Sequence, residues 1–191
     1  IMDWAIALGE RFPYSGERAM PVDYFFKRAL ADLLVFRHWR KRMGTRIQYI
    51  AVGSAALQPR LGRLFSAARI DVREGYGLTE TSPVITVNRS DAWRPGTVGR
   101  PVAATSVRIA EDGEILAAGP QIFEGYWGNE EKTREVFTDE GWFRTGDVGV
   151  LEDDFLRIVG RKKDLIVTAG GKNVAPEPME DGLRAHPLIS Q

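Results

Sequence analysis

Residues 47–72, which read IQYIAVGSAALQPRLGRLFSAARIDV, carry the clearest fold signal in the chain. The stretch opens with a nearly continuous apolar run from Ile47 to Val52, which is typical of a buried strand. Apolar residues at helical spacing come next, namely Leu57, Leu61, Leu64 and Phe65. Ile70–Val72 then reads as a second short strand. A strand, a helix and a strand of this length make a βαβ unit, so the stretch predicts a parallel sheet.

Beyond Pro95 the pattern indicates short antiparallel strands instead. One hairpin is predicted to turn at Asp112-Gly113, because apolar and polar residues alternate on either side of it. A later hairpin joins strands at Val148–Leu151 and Phe155–Val159. This half of the chain is therefore predicted to be antiparallel and barrel-like.

These patterns predict α/β structure plus antiparallel β structure, in three parts. Residues 1–96 would be the remnant of an α/β subdomain with part of a parallel βαβ sheet layer. Residues 97–162 would form a small antiparallel barrel-like subdomain. Residues 163–191 would be the truncated start of a C-terminal α+β domain, because they are too few to bury a core of their own. We therefore expect the chain to be a fragment.

An amphipathic helix is predicted from Val22 onward. Its apolar positions recur at helical spacing and so share one face: Val22, Phe25, Phe26, Ala29, Leu30, Leu33 and Leu34. Basic residues lie on or near its C-terminal end, where cations favour the helix dipole: Arg37, Arg40, Lys41 and Arg42. A solvated helix end accounts for these charges, and contact with anionic lipid headgroups is the alternative.

The overall charge is balanced, with 26 basic and 26 acidic residues. Domains that bind nucleic acid usually carry a basic surplus, so nucleic acid is not expected as a partner. The absence of cysteine excludes a disulfide framework and a thiol nucleophile. No apolar run approaches the ~20 residues that a membrane span needs. We expect a cytoplasmic location, with peripheral membrane contact as an addition, and the oligomeric state is not readable from the sequence.

The loop that follows the second strand, residues 74–81, reads EGYGLTET. Ligands bind at the C-terminal ends of strands in open α/β sheets, and the two glycines of this loop let the backbone approach a ligand closely. Tyr76 offers a flat apolar face for a base, Thr79 a hydroxyl for a phosphate oxygen, and Glu80 a hard oxygen ligand for Mg²⁺. The loop is a candidate nucleotide site.

A second charged segment combines GWFRTGD at residues 141–147 with GRKKD at residues 160–164. An ionised Asp147 can accept both hydroxyls of a ribose at once. Arg161 stays charged at any working pH and can donate to the ribose or to a phosphate. The segment therefore indicates a grip on a sugar diol and a phosphate.

Taken together, these motifs resemble the acyl-adenylate-forming enzyme superfamily over roughly residues 44–191, and look most like bacterial long-chain fatty acyl-CoA synthetases. The resemblance implies ATP-dependent formation of an acyl-AMP and then an acyl-CoA, with release of pyrophosphate and AMP. An aryl or other acyl-CoA ligase, or a peptide-synthetase adenylation domain, is the alternative within the enzyme class. A non-catalytic module that binds a nucleotide or an acyl group is the alternative of another class.

The resemblance also implies roles for single residues. Tyr76 would pack on adenine, Thr79 would contact the α-phosphate, and Glu80 would hold magnesium. Residues implied in catalysis are Thr79, Glu80 and Lys163, the last as the hinge about which a small domain swings. Residues implied in binding the cofactors are Gly53, Ser54, Ala55, Gly75, Tyr76, Gly77, Thr79, Asp147, Arg161 and Gly170, of which Gly170 would line the path of the coenzyme A thiol arm.

The implied cofactors are ATP or AMP, Mg²⁺ and coenzyme A, and the implied substrate is a fatty acid. Two parts of such an enzyme are not found in these residues: the Ser/Thr/Gly-rich phosphate loop that ends in lysine, and the lysine near the C-terminus that aids adenylation. The expectation is a ligase fragment that does not catalyse the full reaction by itself. Residues 125–127, which read GYW, are expected to be structural.

Overall fold

The computed structural model describes residues 1–13, 20–44, 46–54, 57–89, 91–167, 173–174 and 176–184. The chain divides into two compact units. The first unit holds residues 1–75 and 87–99, and the second holds residues 76–86 and 100–191. The three predicted parts, 1–96, 97–162 and 163–191, stay a prediction.

The first unit contains the predicted βαβ element. Its helices are α1 (Met2–Gly9), α2 (Val22–Ala31), a π-helical turn (Asp32–Phe36), α3 (Arg37–Met43) and α4 (Pro59–Ala67). Strand β1 (Ile50–Val52) pairs in parallel with β2 (Val72–Tyr76), and Ile50 lies opposite Val72. The parallel pairing predicted from the sequence is therefore confirmed, although β1 is shorter than predicted.

Strand β2 extends further than its sequence suggests. Glycine and glutamate are poor strand formers, so the motif at residues 74–76 reads locally as a loop. In the structure burial alternates along β2, with Val72, Glu74 and Tyr76 pointing inward. The parallel ladder with β1 reaches Glu74, opposite Val52. The motif therefore begins inside a strand and leaves it only after Tyr76.

The helix predicted from Val22 is present, but it buries a different face. The predicted apolar stripe is largely exposed at Val22, Phe25, Phe26, Leu30, Leu33 and Leu34. Tyr24, Ala31, Val35 and Phe36 face the core instead. Two hydrogen bonds hold the helical segment with this face toward the core. Arg28 Nε donates to the Ala67 carbonyl at 2.9 Å, and Arg40 Nη1 donates to the Ala68 carbonyl at 2.5 Å. Both acceptors lie at the C-terminal end of α4, where cations are favoured.

Arg40 is not part of an open basic patch. Its guanidinium donates to both carboxylate oxygens of Asp32, at 2.6 and 3.0 Å, and lowers the pKa of that carboxyl. Arg37, Lys41 and Arg42 remain exposed. Among the described residues no helix is both long and apolar enough to cross a membrane.

Strands β3 (Thr86–Val87) and β4 (Arg100–Pro101) follow in the sheet order β1-β2-β3-β4. A second sheet has the antiparallel order β5-β6-β7-β8, formed by Ser106–Ile109, Glu114–Ala118, Phe143–Glu152 and Phe155–Arg161. The remaining elements are α5 (Glu130–Glu135), the antiparallel pair β9 (Ile166–Val167) and β10 (Asn173–Val174), and α6 (Glu177–Arg184). The antiparallel half predicted from the sequence is confirmed, with both of its hairpins.

Candidate functional site

The loop after β2 is shaped by Gly77 and Thr81. A Cβ atom at position 77 would overlap the carbonyl oxygen of Pro83, so this residue must be glycine. The buried Thr81 hydroxyl accepts the Leu78 amide at 2.9 Å and donates to the Pro83 carbonyl at 2.7 Å. The loop therefore closes on itself and holds Thr79 and Glu80 in a single 3₁₀ turn at residues 79–81.

Asp147 is the centre of the site. Its carboxylate is buried on β7, where it accepts a hydrogen bond from the Tyr76 hydroxyl at 2.6 Å and forms an ion pair with Arg161 Nε at 3.0 Å. Arg161 lies directly opposite Asp147 in the β7–β8 ladder. Burial and the neighbouring carboxylate raise the pKa of Tyr76, so the phenol stays protonated and donates. The structure thus brings Tyr76, Asp147 and Arg161 together.

A cavity of about 380 Å³ opens beside this trio, lined by Gly146, Arg161, Lys162 and Lys163. Three of its four lining residues are cationic, which suits an anionic group. Asp147 adjoins it through its chain neighbour Gly146 and its partner Arg161. Each carboxylate oxygen of Asp147 has a lone pair left to accept a further hydroxyl. The arrangement can bind a diol and a phosphate side by side.

Glu80, the proposed magnesium ligand, is hydrogen-bonded to Tyr126, a residue that the sequence predicted to have only a structural role. The Tyr126 hydroxyl donates to Glu80 Oε1 at 2.9 Å. Burial, followed by the hydrogen bond to Glu80, raises the pKa of Tyr126. The Phe123 amide also donates to the Glu80 carbonyl at 2.8 Å. Because 46 positions separate Tyr126 from Glu80, no local sequence signal could have paired them.

A carboxylate can serve as a hard oxygen ligand for Mg²⁺, and Glu80 is partly exposed. In the described part of the chain, however, no three His, Cys, Asp or Glu residues cluster closely enough to hold a metal ion.

Glu74 is a second functional candidate that the sequence reading left without a role. Its side chain is buried, and Oε1 accepts the Leu57 amide at 2.8 Å. Burial raises the pKa of this carboxyl to about 7. Leu57 is the last residue of the segment GSAAL at residues 53–57, a small-residue loop between strand and helix, so Glu74 holds the end of that loop.

The small-residue loop itself is described only in part. Gly53 and Ser54 are exposed, and a Cβ at Gly53 would lie 3.5 Å from the Gly75 carbonyl oxygen. Ser54 does not cap α4, which begins at Pro59 with Gln58 as its N-cap. Ala55 and Gly170, both predicted to bind a cofactor, lie outside the described residues.

Lys163 occupies a 3₁₀ turn, Lys162–Asp164, that begins directly after β8. Its side chain is exposed and lines the cationic cavity. A position between the last strand of the sheet and the segment that follows suits the hinge role implied for it, which stays a prediction.

Comparison with known proteins places these features in a wider group. The family described as "AMP-binding enzyme" matches residues 20–127, which is more than half of the chain. The chain is 52% identical over 166 residues to the long-chain-fatty-acid–CoA ligase FadD15 of Mycobacterium bovis, covering 86% of this chain and 28% of that protein. It is 35% identical over 184 residues to the long-chain-fatty-acid–CoA ligase ACSBG2 of Xenopus laevis, covering 92% of this chain and 24% of that protein.

Solved structures agree with the sequence relatives. The ATP-bound MatB from Rhodopseudomonas palustris matches with a TM-score of 0.68 and 35% identity, over 75% of this chain and 31% of that one. The unliganded O-succinylbenzoate coenzyme A synthetase MenE from Bacillus subtilis matches with a TM-score of 0.67 and 29% identity, over 76% and 36% of the two chains. The chain thus spans about a third or less of the length of the proteins that it resembles.

Proposed function

The chain belongs to the AMP-binding enzyme family, and from this we propose that it forms part of a ligase that activates a fatty acid with ATP and passes the acyl group to coenzyme A. The relatives named as long-chain ligases support the choice of acid. The observation that carries the proposal is the buried Asp147 carboxylate, which accepts a hydrogen bond from Tyr76 and is ion-paired with Arg161 beside a cationic cavity.

In the proposed reaction a fatty carboxylate oxygen forms a bond to the α-phosphorus of ATP, while the bond from that phosphorus to the bridging oxygen breaks and pyrophosphate leaves. The sulfur of coenzyme A, having lost its proton, then attacks the acyl carbon, and AMP leaves. Both steps develop negative charge on phosphate oxygens. Preorganised cations such as Arg161 and Lys163 would stabilise that charge.

Asp147 is proposed to accept the two ribose hydroxyls with the lone pairs that Tyr76 and Arg161 leave open. Arg161 balances the charge of the buried carboxylate, which would be costly to bury alone. The hydrogen bond to Asp147 also fixes the direction of the Tyr76 side chain, whose ring is proposed to pack on adenine. Thr79 is exposed in the adjacent turn and is proposed to contact the α-phosphate.

The Asp147→Asn substitution tests this assignment. An amide oxygen and an NH₂ group cannot accept two hydroxyls as a carboxylate does, so the affinity for AMP is expected to fall roughly tenfold to hundredfold. Binding of 2′,3′-dideoxy-AMP, which lacks both hydroxyls, should change little. Isothermal titration calorimetry on the natural protein that contains this chain measures both affinities.

Asp139→Asn is the matched control, since Asp139 is an exposed carboxylate of the same unit. It should leave the ratio of the two affinities unchanged. If Asp147→Asn kept the wild-type preference for AMP over the dideoxy nucleotide, Asp147 would not be the ribose acceptor.

Magnesium is proposed to sit at Glu80, where it would neutralise phosphate charge when bound. Glu80→Gln is expected to raise the magnesium concentration needed for half-maximal pyrophosphate release roughly tenfold or more, as the loss of a metal-orienting group does. Binding of Mn²⁺ in the presence of ATP, followed by electron paramagnetic resonance, should weaken in parallel. Glu124→Gln, an exposed carboxylate in the segment before Tyr126, is the control, and equal metal requirements in both variants would contradict the assignment.

A ligase for an aromatic or another non-fatty acid is the second candidate. It is favoured by the match to the anthranilate CoA ligase AuaEII in complex with anthranoyl-AMP, at 28% identity and a TM-score of 0.66. Pyrophosphate release with palmitate, benzoate and anthranilate separates the two candidates. Calorimetry of the present chain with AMP separates a nucleotide-binding module from an inert one.

We also propose that the antiparallel half curls into a barrel-like subdomain, and that the residues after it begin a C-terminal α+β domain. A cytoplasmic location is proposed as well, together with a peripheral contact between anionic lipid and the exposed Arg37, Lys41 and Arg42. Sedimentation with anionic vesicles is the measurement for the lipid contact, and absence of binding would remove it.

A further inference from the structure

A second buried carboxylate lies next to the proposed ribose acceptor. Glu114, the first residue of β6, has only 4% of its side chain exposed. Its Oε1 accepts the Gly146 amide at 3.1 Å. Its Oε2 accepts Arg144 Nη1 at 3.1 Å and Lys162 Nζ at 3.0 Å. One buried side chain thus holds three donors from two different segments.

Lys162 is held by a second carboxylate from the same hairpin. Its Nζ donates to Asp112 Oδ2 at 2.7 Å, and Asp112 Oδ1 in turn accepts the Glu114 amide at 3.1 Å. The hydrogen bonds to Asp112 and Glu114 raise the pKa of Lys162, and Lys162 lowers the pKa of Asp112. The lysine and its partner are therefore both charged near neutral pH, so the contact persists under working conditions.

Two of these donors belong to residues that are chain neighbours of the proposed ribose-binding pair. Gly146 directly precedes Asp147, and Lys162 directly follows Arg161. Asp147 and Arg161 face each other across β7 and β8. Glu114 therefore holds the flanking residue on each side of the pair.

The backbone at this point needs such support. The register between β6 and β7 shifts between Glu114 and Leu116, and Gly146 has a positive φ of 73°. The Gly146 amide therefore donates to a side chain where an unbroken ladder would offer a carbonyl. Backbone donors that are withdrawn from water require a partner, so the Glu114 carboxylate stabilises the irregular part of β7 that carries Asp147.

We propose that Glu114, together with Lys162, is a positioning residue of the nucleotide site: it braces Asp147 and Arg161 in the geometry that accepts the ribose hydroxyls. This inference rests on the proposed function, because it needs Asp147 to be the ribose acceptor. It adds Glu114, which acts only through that pair, and Lys162, which also lines the cationic cavity.

The test uses Lys162→Met and Glu114→Gln in the natural protein, with AMP and 2′,3′-dideoxy-AMP as ligands. Lys162 is 43% exposed, so its substitution leaves the core intact. Glu114→Gln keeps an acceptor for the Gly146 amide but removes the charge. Glu114→Gln should lose about fivefold in affinity for AMP and almost none for the dideoxy nucleotide. Lys162→Met should lower the affinity for AMP about fivefold more than the affinity for the dideoxy nucleotide, so the ratio of the two affinities falls in both variants. Lys27→Met, which also removes an ion-paired lysine, should leave the ratio unchanged.

Asp147→Asn in the same assay distinguishes a failure of the ribose contact from a failure of the bracing by Glu114 and Lys162. If Asp147→Asn leaves the ratio as in the wild type, the ribose contact fails and this inference fails with it. If Asp147→Asn collapses the ratio while the two brace variants keep it, the nucleotide site stands and the brace is overturned. Equal losses for both nucleotides would mark a general structural role and would also overturn the brace. If Glu114→Gln does not fold, as judged by thermal melting, Lys162→Met decides alone.

Discussion

Replacement of Gly77 by alanine is expected to destabilise the protein by about 3 kcal/mol or more. The added Cβ would overlap the Pro83 carbonyl oxygen, and it would lie 2.7 Å from the Pro83 carbonyl carbon and 2.9 Å from Thr81 Oγ1. The Pro83 atoms belong to the backbone, and the Thr81 side chain is fully buried and hydrogen-bonded. Neither can therefore move away from the added Cβ without a large cost in free energy. Urea unfolding of the variant measures the loss.

The same substitution should also abolish measurable AMP binding, because the loop carries Tyr76, Thr79 and Glu80. The matched control is Gly182→Ala in α6, where a Cβ would meet nothing within 4 Å. Alanine is favoured over glycine inside a helix, so the control should be neutral or slightly stabilising. An unfolding midpoint for Gly77→Ala equal to that of the wild type would show that the loop does not close on Pro83.

Replacement of Glu74 by glutamine is expected to stabilise the protein at alkaline pH. Burial raises the pKa of Glu74 from 4.5 to about 7, so the folded state favours the protonated form more than the unfolded state does. The contribution of Glu74 to stability is full below pH 4.5 and is lost as the pH rises through about 7. Because one pKa unit corresponds to about 1.4 kcal/mol, the ionised carboxylate costs up to about 3 kcal/mol at pH 8.5.

Glutamine keeps an oxygen for the Leu57 amide and carries no charge, so the variant should gain this amount at pH 8.5 and nothing at pH 4.5. Urea unfolding of both proteins across that range gives the difference directly. Glu111→Gln, at an exposed position, should give no such pH-dependent gain. Parallel stability curves for Glu74→Gln and wild type would mean that the carboxyl is not buried.

The site shows how far local patterns reach. Tyr76, Glu80, Asp147 and Arg161 were identified from motifs, because their residue types match the chemistry of a nucleotide. Tyr126, Glu74 and Glu114 were missed as functional candidates. Each acts through a partner that lies between 17 and 48 positions away in the chain, and such pairs form only when strands and loops are packed.

The pairing of Asp147 with Arg161 illustrates the same limit within a hairpin that the sequence did predict. The hairpin starts with Glu152 opposite Phe155, and an unbroken register from there would set Gly160 opposite Asp147. A register shift between Val148 and Gly149 adds one residue to β8 and moves Arg161 into that place. A bulge of this kind leaves no reliable trace in the hydrophobic pattern.

The sequence by itself determined the parallel βαβ unit, the two antiparallel hairpins and the residue types of the proposed nucleotide site, because periodicity and turn residues act over short distances. Tertiary structure alone decided which face of α2 is buried, how β7 and β8 are staggered, and which carboxylates lose contact with water. Burial and register depend on the packing of segments that are distant in the chain. For that reason a motif suffices to identify Asp147, whereas its ion pair with Arg161 and the hydrogen bond from its neighbour Gly146 to Glu114 form only in the folded protein.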